Sequence, residues 1–463
     1  MKKEIKGKFY ADKECQKLLF LGQLVQKNNI TKIKVLDFYG KSFSQFGGQT
    51  LFAVIYDERR VRTGYSFTNC RTEGSLEECI QHDRYVYFSE SISYNDFLNE
   101  RKENITPKFI LPNDKFKRMS VGVKNLDDWL WKSHTYDLKD IVIALDENDN
   151  PANYENIANY VVKNKKLSKK IKIDGFTIVL KSGLSFWAGK YPDIEFAQNA
   201  SLEIISDKKI EVYYFYRIIS LLRMYFTILW NKEFRIYDIS VFEKFKYRIN
   251  FFSNNIPIEE YTLPKDYFSI STGMYFQHVK NKLSCSIKRF FNVYYTFSYL
   301  INFLTDIDVN MYIDVYTSQQ IQVIETYGNI KSNGVNKTNN AKDIEFVIQS
   351  IPDDIFNKLF VDNGIWSLVF GFEEYKQSDT KEILKTNLQS IRNYLIHPCL
   401  DGQNKNLLDA KCKIAKNFIT QEGKINLDSL SYLSGRLTMM IRYLYFREIG
   451  LEDCYKDKNS YLF

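Results

Sequence analysis

The chain has 463 residues, of which 44% are hydrophobic and 16% aromatic, including 33 Tyr and 35 Phe. This composition excludes an intrinsically disordered chain, and the length provides for two or three domains, each with its own core. The formal net charge of +8 is a mild basic bias that is compatible with a nucleic-acid partner but does not require one.

Seven scattered cysteines, none of them spaced as CxxC, are typical of a reducing cytoplasm and predict neither a disulfide framework nor a zinc site. The first residues lack the apolar segment of a signal peptide. The most apolar run, residues 218–230, is interrupted by Arg223 and too short to cross a bilayer. We therefore expect a cytoplasmic protein without membrane contact, and the sequence predicts no metal and no cofactor.

The first half is predicted to be rich in β-strands. Eight short runs are rich in β-branched and aromatic residues and bounded by turn or charged residues: KGKFY, KLLFLGQL, TKIKVLDFYG, TLFAVIYDE, RYVYFSES, DIVIALDE, GFTIVL and GLSFWAG. Their spacing indicates an antiparallel sandwich or barrel-like body. In DDWLWKSH (127–134) two tryptophans stand two apart, as in a strand, with core packing as the favoured role. The turn-rich residues 146–156 are a candidate boundary between two β subdomains.

After the predicted strands, the apolar residues recur at helical spacing. A helix within residues 201–231 is expected to pack against the sheet. From about residue 270 the apolar period is helical throughout, and helices are predicted at 277–303, 311–328, 342–361, 378–397, 407–421 and 427–449. The prediction is an α+β chain in which a β-rich N-terminal domain, residues 1–265, precedes an all-α bundle, residues 270–463.

The segment SIRNYLIHP, residues 390–398, carries the candidate chemistry. Apolar residues at helical spacing form a stripe that faces the bundle core, and three polar residues are predicted to face outward: Arg392, Asn393 and His397. Pro398 is expected to end the helix at His397, where the negative end of the helix dipole favours the protonated imidazole. Such a histidine can transfer a proton, while Arg392 can fork onto two phosphate oxygens. Together these groups suit RNA cleavage by the 2′-hydroxyl without a metal.

The pattern is moderately specific. An arginine five residues before one of four histidines arises by chance in roughly one chain of this composition in seven. Requiring Asn directly after the Arg lowers the chance to about one in a hundred. From the residues alone, the competing interpretation is a histidine that caps a helix C-terminus and a surface arginine in a salt bridge.

The segment R-N-Y-L-I-H at the end of a core helix resembles the signature of the HEPN ribonuclease superfamily. The layout resembles the ApeA-like HEPN proteins of bacterial abortive-infection defence, with IKGKFY, LGQL and VLDFYG similar to the opening of that family and residues 431–451 similar to its closing helix. The resemblance implies that Arg392 and His397 are catalytic and that Asn393 positions one of them or the phosphate. It also implies a homodimer with a composite site, and products with 2′,3′-cyclic phosphate and 5′-hydroxyl ends.

The first functional hypothesis is therefore an antiviral toxin: a metal-independent endoribonuclease acting on RNA, with tRNA among the candidate targets, regulated by the N-terminal domain through a phage-derived trigger. The second is a non-catalytic module that binds nucleic acid or a phage protein and uses the bundle for dimerisation. A third is a protein that binds carbohydrate or capsid through its β-rich half.

Other residues give weaker signals. Four lysines of KNKKLSKKIK (163–172) are candidate RNA-binding residues, although a solvated strand edge that discourages sheet pairing is favoured: Lys165, Lys166, Lys169 and Lys170. His82, His134 and His278 have no spacing that indicates a metal site or a triad. Glu325 and Tyr327, on the second predicted helix of the bundle, could approach the motif helix, but no pattern gives either a role.

Overall fold

A computed structural model describes a defined part of the chain. The described residues are 3–27, 30–39, 49–56, 62–72, 78–81, 85–88, 109, 111, 113–123, 126–131, 167–188, 194–231, 234–242, 248–253, 273–274, 276–305, 312–332, 340–366, 380–396 and 426–458. Two compact units are present, one comprising Met1–Arg223 with Phe234–Ser269 and the other Met224–Glu233 with Ile270–Phe463.

The described strands all precede residue 254 and pair in antiparallel fashion. They are β1 (Lys3–Tyr10), β2 (Leu18–Lys27), β3 (Ile30–Phe38), β4 (Gln49–Tyr56), β5 (Arg62–Thr72), β6 (Glu78–Gln81), β7 (Tyr85–Phe88), β8 (Lys115–Val123), β9 (Leu167–Ile173), β10 (Phe176–Ala188), β11 (Ile194–Glu211), β12 (Ile236–Phe242) and β13 (Arg248–Ser253). The fold is thus mixed α+β, and its described strands are mainly N-terminal.

The first six strands close into a ring in the order β1, β2, β3, β6, β5, β4, because β4 pairs with both β1 and β5. Strands β7 and β13 connect β5 to β12, and an open sheet continues in the order β12, β8, β11, β10, β9. Successive side chains of a strand point to opposite faces of the sheet, and one face of this sheet is buried. On that face Met119 and Val121 of β8 lie beside Ile204 and Leu202 of β11. GFTIVL and GLSFWAG, predicted as two strands, belong to the single strand β10.

Helices dominate from residue 276 onward. The described helices are α1 (Leu126–Trp131), α2 (Val212–Trp230), α3 (Phe276–Val279), α4 (Leu283–Val293), α5 (Ser298–Thr305), α6 (Ile313–Lys331), α7 (Asn340–Gln349), α8 (Asp353–Phe360), α9 (Thr380–Ile396), α10 (Leu427–Glu448) and α11 (Glu452–Lys458). Helix α6 packs against α7, α9 and α10. Gln320 fixes its position on α10, since Nε2 donates hydrogen bonds to the Ser434 carbonyl at 2.8 Å and to the Thr438 hydroxyl at 2.7 Å.

Some predicted elements were wrong in kind or extent. Residues 126–131 form a helix instead of a strand, because Leu126, Trp129 and Leu130 are buried at helical spacing. The predicted core role of Trp129 is confirmed.

The helix expected within 201–231 begins at Val212, and residues 201–211 continue strand β11, which pairs with β10 and β8. The helix predicted at 277–303 is divided into α3, α4 and α5. The helix predicted at 342–361 is interrupted at Pro352, which has no N–H to continue the hydrogen-bond ladder. Residues 140–147, 146–156 and 407–421 lie outside the described residues.

Candidate functional site

The motif helix α9 has the predicted core stripe. Leu384 and Leu388 are fully buried, and Ile391 is 3% exposed. Asn393 is exposed, as predicted from its position opposite the stripe. The helix is described through Ile396, and His397 and Pro398 lie outside the described residues.

Arg392 does not face outward as predicted. It lies roughly 100° around the helix from Ile391, at the edge of the buried face, where α6 passes. Its Nε is 2.9 Å from Oε1 of Glu325 on α6, and only 24% of the arginine side chain and 9% of the glutamate side chain are exposed. The Nε–H is not aligned on an acceptor among the described residues, so charge attraction at short range holds this pair more than a directed hydrogen bond does.

Glu325 is in an environment that disfavours its charge. Burial raises the pKa of its carboxyl to about 7, the Arg392 guanidinium opposes this effect, and the carboxylate of Asp343 on α7 adds to it. Glu325 therefore changes protonation near neutral pH, next to a guanidinium that stays charged.

Asp343 is held close to α6 by an unusually short helix–helix approach. A Cβ on Gly328 would collide with the carbonyl oxygen of Asp343 and lie 3.0 Å from a methyl group of Val347, so only glycine permits this packing. Asn329, the next residue of α6, donates a hydrogen bond from Nδ2 to Oδ2 of Asp343 at 3.3 Å. The backbone contact thus fixes a second buried carboxylate near Glu325.

Several buried polar atoms around α7 and α9 have no hydrogen-bond partner among the described residues. They include Oδ1 of Asp343, Nδ2 of Asn387 and Nε2 of Gln389. Asp343 and Asn387 are each only 3% exposed. Buried polar groups are normally hydrogen-bonded. The helices that carry Arg392 and Asp343 therefore retain unused hydrogen-bonding capacity.

The predicted lysine run does not form one cationic surface in the part that is described. Lys165 and Lys166 lie outside the described residues. Lys169 and Lys170 are neighbours on β9, so their side chains leave opposite faces of the sheet, with Lys169 half-buried and Lys170 exposed. Strand β9 stands at the end of its sheet in the observed strand order.

Other site types find no support in the described ranges. Within them, no group of His, Cys, Asp or Glu side chains could hold a metal ion, and no helix is long and apolar enough to cross a membrane. Cys15, Cys285 and Cys454 form no disulfide bond with a described residue. Of the remaining histidines, His278 is half-buried in α3, and His82 and His134 lie outside the described residues.

Comparison with known proteins adds no relative: no family model, no curated protein and no solved structure matches the chain. The resemblance to HEPN ribonucleases therefore depends on the motif residues and on the order of the elements. The sequence alone predicts no role for Glu325 or Asp343, because neither residue has a spacing relation to the motif along the chain.

Proposed function

We propose that this chain is a metal-independent endoribonuclease of the HEPN type. The observation that carries the proposal is the placement of Arg392, a partly exposed guanidinium anchored through Nε by Glu325, five residues before His397 on the same segment. An arginine held by Nε still presents its two terminal nitrogens, the pair that forks onto phosphate oxygens. Glu325 is then a positioning residue, and the phosphate takes the outer end of the guanidinium.

In this mechanism the ribose 2′-oxygen forms a bond to the adjacent phosphorus while the bond from phosphorus to the 5′-oxygen of the next nucleotide breaks. Arg392 offsets the charge that develops on the phosphoryl oxygens. His397 transfers a proton to the departing 5′-oxygen or accepts one from the 2′-hydroxyl. Asn393, exposed on the next position of the helix, donates a hydrogen bond to the phosphate or to His397. The products carry 2′,3′-cyclic phosphate and 5′-hydroxyl ends.

The biological setting that fits such an enzyme is abortive infection. The nuclease is a cytoplasmic toxin that acts as a homodimer, with two motifs facing one cleft, and the N-terminal domain restrains it until a phage-derived trigger arrives. The ApeA-like layout supports this part of the proposal, together with the β-rich N-terminal half and the helices that follow it. Transfer RNA is a candidate target.

One observation favours the non-catalytic alternative. An arginine that is only a quarter exposed and ion-paired with a buried glutamate can serve purely to join two helices. In that case the bundle supports dimerisation and binding of nucleic acid or of a phage protein, without cleavage.

Cleavage of total RNA in EDTA tests the two candidates. We expect the wild-type protein, with lysate from phage-infected cells as trigger, to produce cyclic-phosphate ends, and His397→Ala to reduce the rate by about a hundredfold or more. His278→Ala, a substitution in the same unit outside the motif, is the matched control and should cut like wild type. RNA binding without cutting by all three proteins would support the binding module instead.

A further inference from the structure

Residues 276–305, which form α3, α4 and α5, contain no Asp or Glu, although the chain has 56 carboxylates in 463 residues. At that frequency a stretch of thirty residues carries between three and four. The same stretch has four lysine or arginine side chains. Lys282 is neutralised by Asp453 of α11 at 2.8 Å, whereas Lys280, Lys288 and Arg289 form no ion pair with a described residue.

The outer side of α4 and α5 is a continuous ridge. Backbone hydrogen bonds from Tyr294 to Phe290, from Phe297 to Val293 and from Ile301 to Phe297 continue the helical pattern across the junction between the two helices. The exposed side chains therefore recur every three or four residues along one side: Cys285, Lys288, Asn292, Tyr295, Tyr299 and Asn302.

Two tyrosines dominate this ridge. Tyr295 is 63% exposed and Tyr299 43%, and they are one helical turn apart. The aliphatic side chains of the same helix, Leu300, Ile301 and Leu304, are buried on the opposite side. The ridge thus offers aromatic rings without an aliphatic patch, which is a poor surface for a partner helix and a suitable one for planar bases.

A lysine and two tyrosines on one ridge are complementary to a flexible polyanion with aromatic bases. Lys288 can contact a phosphate, Asn292 can hydrogen-bond base edges or phosphate oxygens, and the tyrosine rings can stack on bases. Arg289 points away from this side, because its guanidinium packs against Gly450. Single-stranded nucleic acid combines these groups, whereas a duplex keeps its bases stacked inside.

We propose that the ridge formed by Lys288, Asn292, Tyr295 and Tyr299 binds single-stranded nucleic acid, with a phosphate at Lys288 and bases stacked on the tyrosines. This inference goes beyond the proposed nuclease and does not depend on it, because the ridge lies on α4 and α5 and the motif on α9.

Fluorescence anisotropy with a short unstructured pyrimidine RNA, and with the DNA of the same sequence, tests the ridge in the His397→Ala full-length protein in EDTA. In this background the proposed cleavage is slower by about a hundredfold or more, so the ligand stays intact during the measurement. The double variant Tyr295→Leu, Tyr299→Leu should bind about tenfold more weakly or worse, with little change in salt dependence. Tyr295→Phe with Tyr299→Phe keeps the rings and should bind like the parent.

The charge contribution has its own signature. Lys288→Gln should lower the slope of log affinity against log salt by about 0.7, the contribution of one neutralised phosphate of a single strand. The matched controls are Lys115→Gln, an exposed lysine of β8, and Tyr39→Leu, whose ring is 57% exposed in the other unit. These should leave affinity and slope unchanged.

Three results would overturn the inference: no measurable binding by the parent, equal binding by the parent and the folded leucine variant, or equally weakened binding in ridge and control variants. Sedimentation tests the rival occupant. If the parent sediments as an oligomer and the leucine variant as a monomer, while the nucleic-acid affinity is the same for both, the ridge is a protein interface. Comparing the affinities for the RNA and for the DNA of the same sequence shows whether the ridge recognises the 2′-hydroxyl.

Discussion

Arg392 and Glu325 join α9 to α6, with Nε of the arginine 2.9 Å from Oε1 of the glutamate. Burial differs between the partners, since 24% of the arginine side chain but only 9% of the glutamate side chain is exposed. The outer end of the guanidinium can reach solvent or a ligand, and the carboxyl cannot. Because the guanidinium stays charged at all ordinary pH values, Glu325 is the member of the pair whose charge changes near neutrality.

Replacing Glu325 by Gln should change how stability depends on pH. The folded-state pKa of about 7 is above the ordinary value of 4.5, so between these values the folded protein binds more protons at Glu325 than the unfolded chain does. The free energy of unfolding then falls as pH rises through this window. Glu325→Gln does not titrate, so it should be more stable relative to wild type at pH 8 than at pH 5, as measured by thermal unfolding at both values.

The control for this effect is Glu382→Gln, because the Glu382 side chain is 59% exposed on α9. Its difference from wild type should be nearly the same at both pH values. A Glu325→Gln protein whose relative stability is equal at pH 5 and pH 8, or lower at pH 8, would contradict the raised pKa of Glu325.

Arg392→Lys should separate charge from geometry in catalysis. Lysine keeps a positive charge but cannot fork onto two phosphate oxygens while it pairs with Glu325. We expect single-turnover cleavage at saturating RNA to slow by about tenfold or more, with product ends unchanged. Lys385→Arg is the matched control: Lys385 stands seven residues earlier on the same side of α9 and also pairs with a neighbouring helix, through Glu345 at 3.2 Å. Equal rates for Arg392→Lys and wild type would leave Arg392 a structural residue.

Gly328→Ala should destabilise the C-terminal unit. The new methyl group would collide with the backbone of Asp343, which cannot yield as a flexible side chain can, so α6 and α7 must separate. Overpacking of this kind costs about 1–3 kcal/mol in the free energy of unfolding. Gly435→Ala on α10 is the control, because its Cβ meets nothing within 4 Å and alanine favours the helix by roughly 0.5–1 kcal/mol. Urea unfolding should therefore move the two midpoints in opposite directions.

The sequence was sufficient for elements whose apolar period was long and regular, and insufficient where contacts between distant segments decide the structure. The stripe of Leu384, Leu388 and Ile391 identified α9 correctly, because one buried face is enough to specify a helix. The pattern predicts a helix within residues 201–231 but not where the helix begins, since the pairing of residues 201–211 with β10 and β8 is invisible along the chain. The partner of Arg392 was equally hidden, because Glu325 is 67 residues away along the chain and only the packing of α6 on α9 brings the two side chains together.

Arg442 supports a further prediction on stability. Its side chain is buried in α10, where Nη2 donates to the Ile228 carbonyl at 2.7 Å and Nη1 to Oδ1 of Asn231 at 2.6 Å. Both acceptors lie at the C-terminal end of α2, where carbonyls have no helical partner and a positive charge is favourable. Arg442→Met fills the space but removes both guanidinium donors, and the Ile228 carbonyl keeps only its longer bond from the Asn231 N–H, at 3.3 Å. The free energy of unfolding should therefore fall by about 1–3 kcal/mol. Arg442→Lys restores the charge with a single donor group and should recover part of the stability in urea unfolding. Full stability of the methionine variant would show that the buried oxygens find other donors.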